Sequence, residues 1–379
     1  MSKLFEESSI NRMSLKNRFV RAATWEGLAT KNGEVTPQLI EMMISVAKGG
    51  VGLIISSHSY VSQEGQGTPW QLGIYKDDLI PKLKEMASEV HKNGGKIIMQ
   101  LAHAGQFAEK QLTGRPALAV SDFDGFSKEH IKIISPEDLQ HIVVSYSQAA
   151  QRAQEAGFDG LEIHSGHGYL LSQFLSPAYN KRQDEYGGSI DNRTRIHLQI
   201  YHAVREVVGR DYPIFLKMNC ADFIENGMTI DDSLQAAKIF AHAGFDAIEV
   251  SGGIIRTGQL SPSRPGITTV EKEAYFKEYA RIFKTEIKTP LILVGGLRSF
   301  DVADKIIADG IADYISMSRP FIREPGLVNR WEKGDLRKAE CKSCNLCFNP
   351  GFDGKGICCV AKEIEANKMT GHHITSQFS

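Results

Sequence analysis

The feature that most limits the fold of this chain is a count. Eight short runs rich in Val, Ile and Leu, at 19–23, 51–56, 96–101, 160–164, 213–218, 247–250, 290–294 and 313–317, punctuate the sequence. Between and after them lie amphipathic segments at 37–48, 79–93, 136–156, 192–208, 230–243, 271–284, 300–309 and 326–333. Apolar runs of this length suit strands buried on both faces, and the intervening segments have helical periodicity. Start signals sharpen some boundaries: Ser135-Pro-Glu-Asp138 carries a capping serine and a first-turn proline. Strands joined through helices run parallel, and eight such units in roughly 320 residues suit a closed (β/α)8 TIM barrel better than an open doubly wound sheet.

Two connections are too long for simple turns, 105–134 after the third strand and 171–190 after the fourth. Both follow strand carboxyl ends, where such barrels carry their chemistry, so a lid and a pocket wall are expected there. After about residue 335 the alternation stops. This divides the chain into a barrel at 1–335 and a short cysteine-rich C-terminal extension at 336–379.

The 44 basic and 45 acidic residues leave a net charge of -1, which argues against nucleic acid or a polybasic membrane patch as partner. No apolar run reaches the ~18 residues of a membrane span. Met1-Ser-Lys-Leu-Phe-Glu-Glu lacks the basic region and apolar core of a signal peptide. The expectation is a cytoplasmic protein acting on a small molecule, with homo-oligomer formation left open.

The run from Gly157 to Pro177 places a polar reaction site at a strand end. His164 closes the apolar stretch Leu161-Glu-Ile163, and Gly166 and Gly168 permit a sharp turn, so that His164, His167 and Tyr169 aim into one pocket. Two imidazoles can hydrogen-bond one carbonyl or nitro oxygen, and a phenol can supply a proton. In a barrel the other strand ends bring Ala23-Thr24, Ser57-His58, Gln100, Lys217, Ser251-Gly252, Gly295-Gly296 and Ser318-Arg319 to the same ligand.

That set suits a flat, polar, phosphorylated molecule. Gly295-Gly296 opens the loop before a helix, where free amides and the helix dipole favour a phosphate, and Arg319 adds a cation. Gln100 offers donor and acceptor to a pyrimidine-like edge, and Lys217 a cation for such a ring when reduced to an anion. Plainer roles exist: a glycine pair can serve a tight turn, a glutamine can cap a loop, and a barrel lysine can pair with a buried carboxylate.

The motif Glu162-Ile-His-Ser-Gly-His-Gly-Tyr-Leu-Leu-Ser-Gln-Phe-Leu-Ser-Pro177 continues into Asn180-Lys-Arg, Asp184-Glu-Tyr-Gly-Gly-Ser189 and Asn192-Arg193. With Asn17-Arg18-Phe-Val20, Gln100-Leu-Ala-His-Ala-Gly105 and Val294-Gly-Gly296, it closely resembles the old yellow enzyme family of FMN-dependent ene reductases, over roughly residues 3 to 335. The resemblance implies that Ala23, Thr24, His58, Gln100 and Lys217 lie against the isoalloxazine of FMN. It also implies that Gly295, Gly296, Ser318 and Arg319 hold the phosphate. His164 and His167 would bind the substrate oxygen and Tyr169 would be the proton donor. Hydride would pass from NAD(P)H through FMN to the C=C bond of an α,β-unsaturated carbonyl or related compound. One departure stands out: Trp25 occupies the substrate-side position where the family usually has threonine or cysteine. The alternatives are an enoyl thioester or other acid-derivative reductase, and a flavin electron-transfer protein, which would not need the His164, His167 and Tyr169 trio.

Five of the six cysteines fall between 341 and 359. Clustered thiols in such a chain suggest a metal site more than disulfides. The segment resembles the [4Fe-4S] segment of the 2,4-dienoyl-CoA reductase branch, with one residue fewer between its second and third cysteines. Given that spacing and the lack of a carboxyl-terminal nucleotide domain, reduced thiols are favoured over a cluster or zinc. The candidate ligands are Cys341, Cys344, Cys347 and Cys359, with Cys358 an alternative fourth. Cys220 is assigned to packing.

Overall fold

A computed structural model of the chain describes residues 2–122, 131–255 and 258–369. Among these, twelve strands occur: β1 (Ser8–Ile10), β2 (Met13–Leu15), β3 (Phe19–Arg21), β4 (Leu53–Tyr60), β5 (Lys96–Ala102), β6 (Ala117–Ala119), β7 (Ile131–Ile133), β8 (Leu161–Ser165), β9 (Ile214–Asn219), β10 (Ala247–Ser251), β11 (Leu291–Leu293) and β12 (Tyr314–Met317). Eight of them pair in parallel around a closed ring, β3-β4-β5-β8-β9-β10-β11-β12 and back to β3. The alternation counted in the sequence therefore closes as a TIM barrel, with helices between the strands.

Local chemistry sets the helix starts. Before Pro136–Glu155, the Ser135 hydroxyl accepts from the Asp138 amide, and the Asp138 carboxylate accepts from the Ser135 amide. That reciprocal cap satisfies two amides that the first turn leaves free. The segment expected to be helical at 271–284 instead begins with a 3-10 turn and forms its helix at Lys277–Glu286.

β4 also departs from expectation, running on to Tyr60. The polar run Ser56-Ser57-His58-Ser59 looks like a strand end, yet it pairs with β5 past a bulge between Ile55 and His58, which sets His58 opposite Gln100. The other end of the barrel is stoppered by the antiparallel hairpin β1-β2. Ile10, Met13 and Leu15 pack there against the interior side chains Val20, Leu53, Ile98, Phe215 and Ile292. Each such fully buried large side chain contributes about 1.5–3 kcal/mol.

The long connection after β5 is a buttress over its described part, with residues 123–130 outside the described residues. β6 pairs with β7, and Ala108 and Ala117 pack on Ala102, Ala104 and Tyr169. Among the described residues, neither 105–134 nor 171–190 lines the principal cavity, and the rest of the expected lid, 123–130, lies outside the described residues.

The chain beyond 335 instead returns across the barrel mouth. Ala339 donates its amide to the Arg298 carbonyl, Ile357 to that of Glu26, and Gly266 donates to Ser343. Gly27, at φ +61, lies so close to this segment that a Cβ there would stand 3.2 Å from Gly351 Cα. Among the described residues no helix is long and apolar enough to cross a membrane.

Candidate active site

A cavity of about 420 Å³ opens at the carboxyl ends of the barrel strands. It collects the catalytic, substrate and cofactor residues expected from the sequence: Ala23, Thr24, Trp25, His58, Gln100, His164, His167, Tyr169, Lys217, Gly295, Gly296, Ser318 and Arg319 all line it, whereas Ser57, Gly252 and the candidate cysteine ligands do not. Its volume lies within the roughly 300–1,000 Å³ of small-molecule sites.

Strand register builds the floor. Gln100 lies opposite Glu162, His164 opposite Lys217, and Lys217 opposite Glu249. Gln100 Nε2 donates to Glu162 Oε2 at 2.5 Å, and Lys217 Nζ is 2.8 Å from Glu249 Oε2. The two readings of Lys217 thus hold together: it lines the cavity and pairs with a buried carboxylate.

The histidine-tyrosine trio forms one side. The turn after β8 takes left-handed backbone at His167 (φ 62) and Gly168 (φ 85), while Gly166 has an ordinary φ. The sharp bend therefore rests on His167, a non-glycine residue in a sparsely populated region, rather than on Gly166. The Asn219 side chain accepts from the His167 amide at 3.0 Å, and His167 Nε2 lies 2.8 Å from Ser251 Oγ, which fixes the ring. The His164 ring centroid is 5.1 Å from that of His167 and 5.3 Å from that of Tyr169. The Tyr169 hydroxyl lies 3.2 Å from His58 Nε2.

Burial sets the protonation states. It holds His164 and His167 well below the usual imidazole range, with neighbouring imidazoles and Lys217 adding to the effect, so both rings are neutral near pH 7. His58 falls to about 4 by burial and the Lys217 charge. Burial pushes the Tyr169 phenol up, keeping its proton in place. The trio is thus a pair of neutral hydrogen-bonding imidazoles beside a protonated phenol.

The opposite end of the cavity carries the expected phosphate residues. Gly295 (φ 129) and Gly296 (φ 71) adopt backbone that favours glycine. The amides of Arg298 and Ser299, at the start of the next helix, already donate to the Glu273 carboxylate at 2.8 and 2.9 Å. That helix end is therefore capped from within, and an anion there would depend on the glycine loop, Ser318 and Arg319. The Arg319 guanidinium is held by the Arg264 carbonyl at 2.9 Å and Asn345 Oδ1 at 2.6 Å.

The outer wall was not legible in the sequence. Ser343, Asn345, Phe348 and Phe352 of the extension join Thr68, Ile255 and Tyr275 around the cavity. Trp25 is 8% exposed, donates its indole N–H to the Pro69 carbonyl at 3.1 Å, and packs its ring 4.6 Å from that of Phe352. A clue lay in the small residues of the extension, because a Cβ at Gly351 would approach the Trp25 ring to 3.0 Å.

The donor set suits FMN. Gln100 and Lys217 are placed for a pyrimidine edge, Arg319 for a phosphate, and His164 Nδ1 and Ser316 Oγ are buried without partners beside the cavity. Beyond Arg319, Cys341, Cys344, Cys347 and Cys359 line a second, small cavity. Burial pushes the Cys347 thiol up to about 12. Among the described residues no group of three or more His, Cys, Asp or Glu side chains is arranged to hold a metal ion. Cys220 is fully buried, in keeping with packing.

The NADH:flavin oxidoreductase / NADH oxidase family profile matches residues 3–337. The chain belongs to that family. It is the old yellow enzyme group to which the sequence motifs pointed, and FMN and NAD(P)H are the cofactors expected of a member. An NADPH dehydrogenase of Bacillus subtilis is 36% identical over 324 residues, covering 85% of this chain and 92% of that protein. An NADH oxidase of Thermoanaerobacter brockii is 34% identical over 354 residues, covering 90% of this chain and 53% of that protein. A 2-naphthoyl-CoA reductase solved with 2-naphthoyl-CoA superposes with a TM-score of 0.86 at 28% identity, over 94% of this chain and 56% of the other. The chain thus spans about half the length of several relatives that it matches.

Proposed function

We propose that this flavin oxidoreductase moves hydride from NAD(P)H through FMN to the activated C=C bond of an α,β-unsaturated carbonyl or related compound. The observation that carries the reading is the trio of neutral His164, neutral His167 and protonated Tyr169 on one side of the cavity. When bound, FMN supplies the two-electron hydride transfer. Gln100 and Lys217 hold its pyrimidine edge, and Gly295, Gly296, Ser318 and Arg319 its phosphate.

His164 and His167 hold the substrate's carbonyl or nitro oxygen. Being neutral, they donate hydrogen bonds without placing a charge in the ground state, and those bonds strengthen as negative charge gathers on the oxygen. This withdraws electrons from the β-carbon, where hydride arrives. Tyr169 gives its hydroxyl proton to the α-carbon, and His58 fixes the phenol's direction. Trp25 and Phe352 exclude water from the substrate side and favour a flat, conjugated molecule.

A second reading, reduction of an unsaturated thioester, draws support from the outer wall built by residues 343–352 and from the likeness to 2-naphthoyl-CoA reductase. One experiment addresses both. Anaerobically reduced holoenzyme is mixed in a stopped-flow instrument with a cyclic enone or with an aromatic or enoyl thioester. Rapid reoxidation by the enone supports the first reading, and a clear preference for the thioester the second. Reoxidation by neither, with normal reduction by NAD(P)H, would show an electron carrier instead.

A further inference from the structure

Two carboxyl groups that the proposed reaction does not use lie beneath the cavity. Glu162 and Glu249 are both 0% exposed. Register sets them in one belt across four adjacent strands, with Gln100 and Glu162 on β5 and β8, and Lys217 and Glu249 on β9 and β10. Glu162 accepts from Gln100, Glu249 pairs with Lys217, and the Glu249 carboxyl is near enough to act on Glu162. Yet Glu162 Oε1 and Glu249 Oε1 are buried and receive no hydrogen from any protein donor. Two carboxylates are acceptors only, so they bond to each other only through a proton.

Charge counting leads to the same place. Two ionised carboxylates and one ammonium would leave a net negative charge in the barrel interior, whereas one proton on the pair makes the belt neutral. Burial, reinforced by the Glu249 charge, holds Glu162 well above the usual carboxylate range. The other titratable groups near the belt are poor acceptors. His164 on β8, His58 on β4 and His167 are kept neutral by burial and by Lys217, and Gln100 on β5 does not titrate. Arg21 on β3 is already paired with Glu26 at 2.5 Å.

We propose that Glu162 and Glu249 share one proton while the ring above them is uncharged and take up a second when that ring becomes an anion, releasing Lys217 from Glu249 to face the new charge. Both are positioning residues acting through Gln100 and Lys217. The balance is one solvent proton to the carboxyl pair for each hydride that NAD(P)H delivers to the ring. Hydride delivery to an anionic product consumes no proton of its own, so any uptake belongs to the protein.

This rests on the FMN reading, and the test separates the two. FMN-loaded protein is reduced anaerobically with one equivalent of NADH in weak buffer containing a pH indicator, while flavin absorbance reports whether the reduced ring is anionic or neutral. The wild type should consume close to one proton per flavin with an anionic spectrum. The E162Q/E249Q double variant should consume close to none. Should that protein fail to retain FMN, E249Q alone should consume less than half the wild-type amount, because Lys217 then has no carboxylate to leave. Wild-type uptake near zero, uptake accompanied by the spectrum of a neutral reduced ring, or undiminished uptake in the variants would overturn the proposal. A protein that binds no FMN would instead remove the reading beneath it.

Discussion

The floor and the outer wall of the cavity are built on opposite principles. The floor residues Gln100, Glu162, His164, Lys217 and Glu249 sit on four adjacent strands, each within 5% of full burial and each placed by a ladder whose register leaves little freedom. The wall residue Phe352 is 59% exposed and belongs to a four-residue helix at Asn349–Phe352 that reaches the site by docking across the barrel mouth. A strand-borne floor suits groups whose direction decides chemistry, and a docked wall suits groups that decide what enters. The difference predicts that floor substitutions will alter rates and cofactor binding, and wall substitutions mainly substrate choice.

The largest expected effect is at Tyr169, which stands on the turn after β8 beside the floor residue His164. Tyr169→Phe should slow the oxidative half-reaction with an enone by about 10² to 10⁴ if the phenol is the general acid. Reduction by NAD(P)H should change little. Equal slowing of both half-reactions in stopped-flow traces would assign Tyr169 to cofactor placement instead.

Arg319 tests the boundary, because it lines the principal cavity while the extension's Asn345 holds it. Arg319→Ala should weaken FMN binding by about 1.5–3 kcal/mol, the worth of a charge-assisted phosphate contact. A fluorescence titration of apoprotein with FMN measures this. Unchanged affinity would mean that the guanidinium serves the extension alone.

The smallest effect is expected at the wall. Phe352→Ala removes one ring of the Trp25 pair, worth about 0.5–1.5 kcal/mol. The result should be a severalfold rise in KM for bulky flat substrates, with kcat for a small enone nearly unchanged. A fall in kcat for both would show that the extension shapes the floor as well, and the comparison would lose its force.

Most of the floor is legible in the sequence. Buried parallel strands need continuous apolar runs, so all eight left a local trace, and their carboxyl ends named the cavity residues from Ala23 to Arg319. The hairpin β1-β2 was not legible, because strands of three residues are too short for periodicity to register. His58 is readable as a site residue, but the strand that carries it, β4, runs further than its apolar pattern shows. A bulge let polar residues continue the ladder, which no local pattern announces. Glu162 lay inside the quoted motif without a role, and Glu249 inside a strand, because a buried carboxylate is explained only by the partners that surround it.

The sequence by itself determined the barrel, the histidine-tyrosine trio and the glycine-arginine end, since each is written as a local period or spacing that the backbone must obey. Tertiary structure alone decided that the extension walls the cavity, where among the described residues the long loops do not line it. It also decided that the strained position after β8 is His167, that Glu273 caps the helix once reserved for phosphate, and that Lys217 faces a carboxylate and a cavity at once. The physical reason is the same in each case: these are contacts between residues far apart in the chain, and their energy depends on packing and charge that exist only when the barrel has closed.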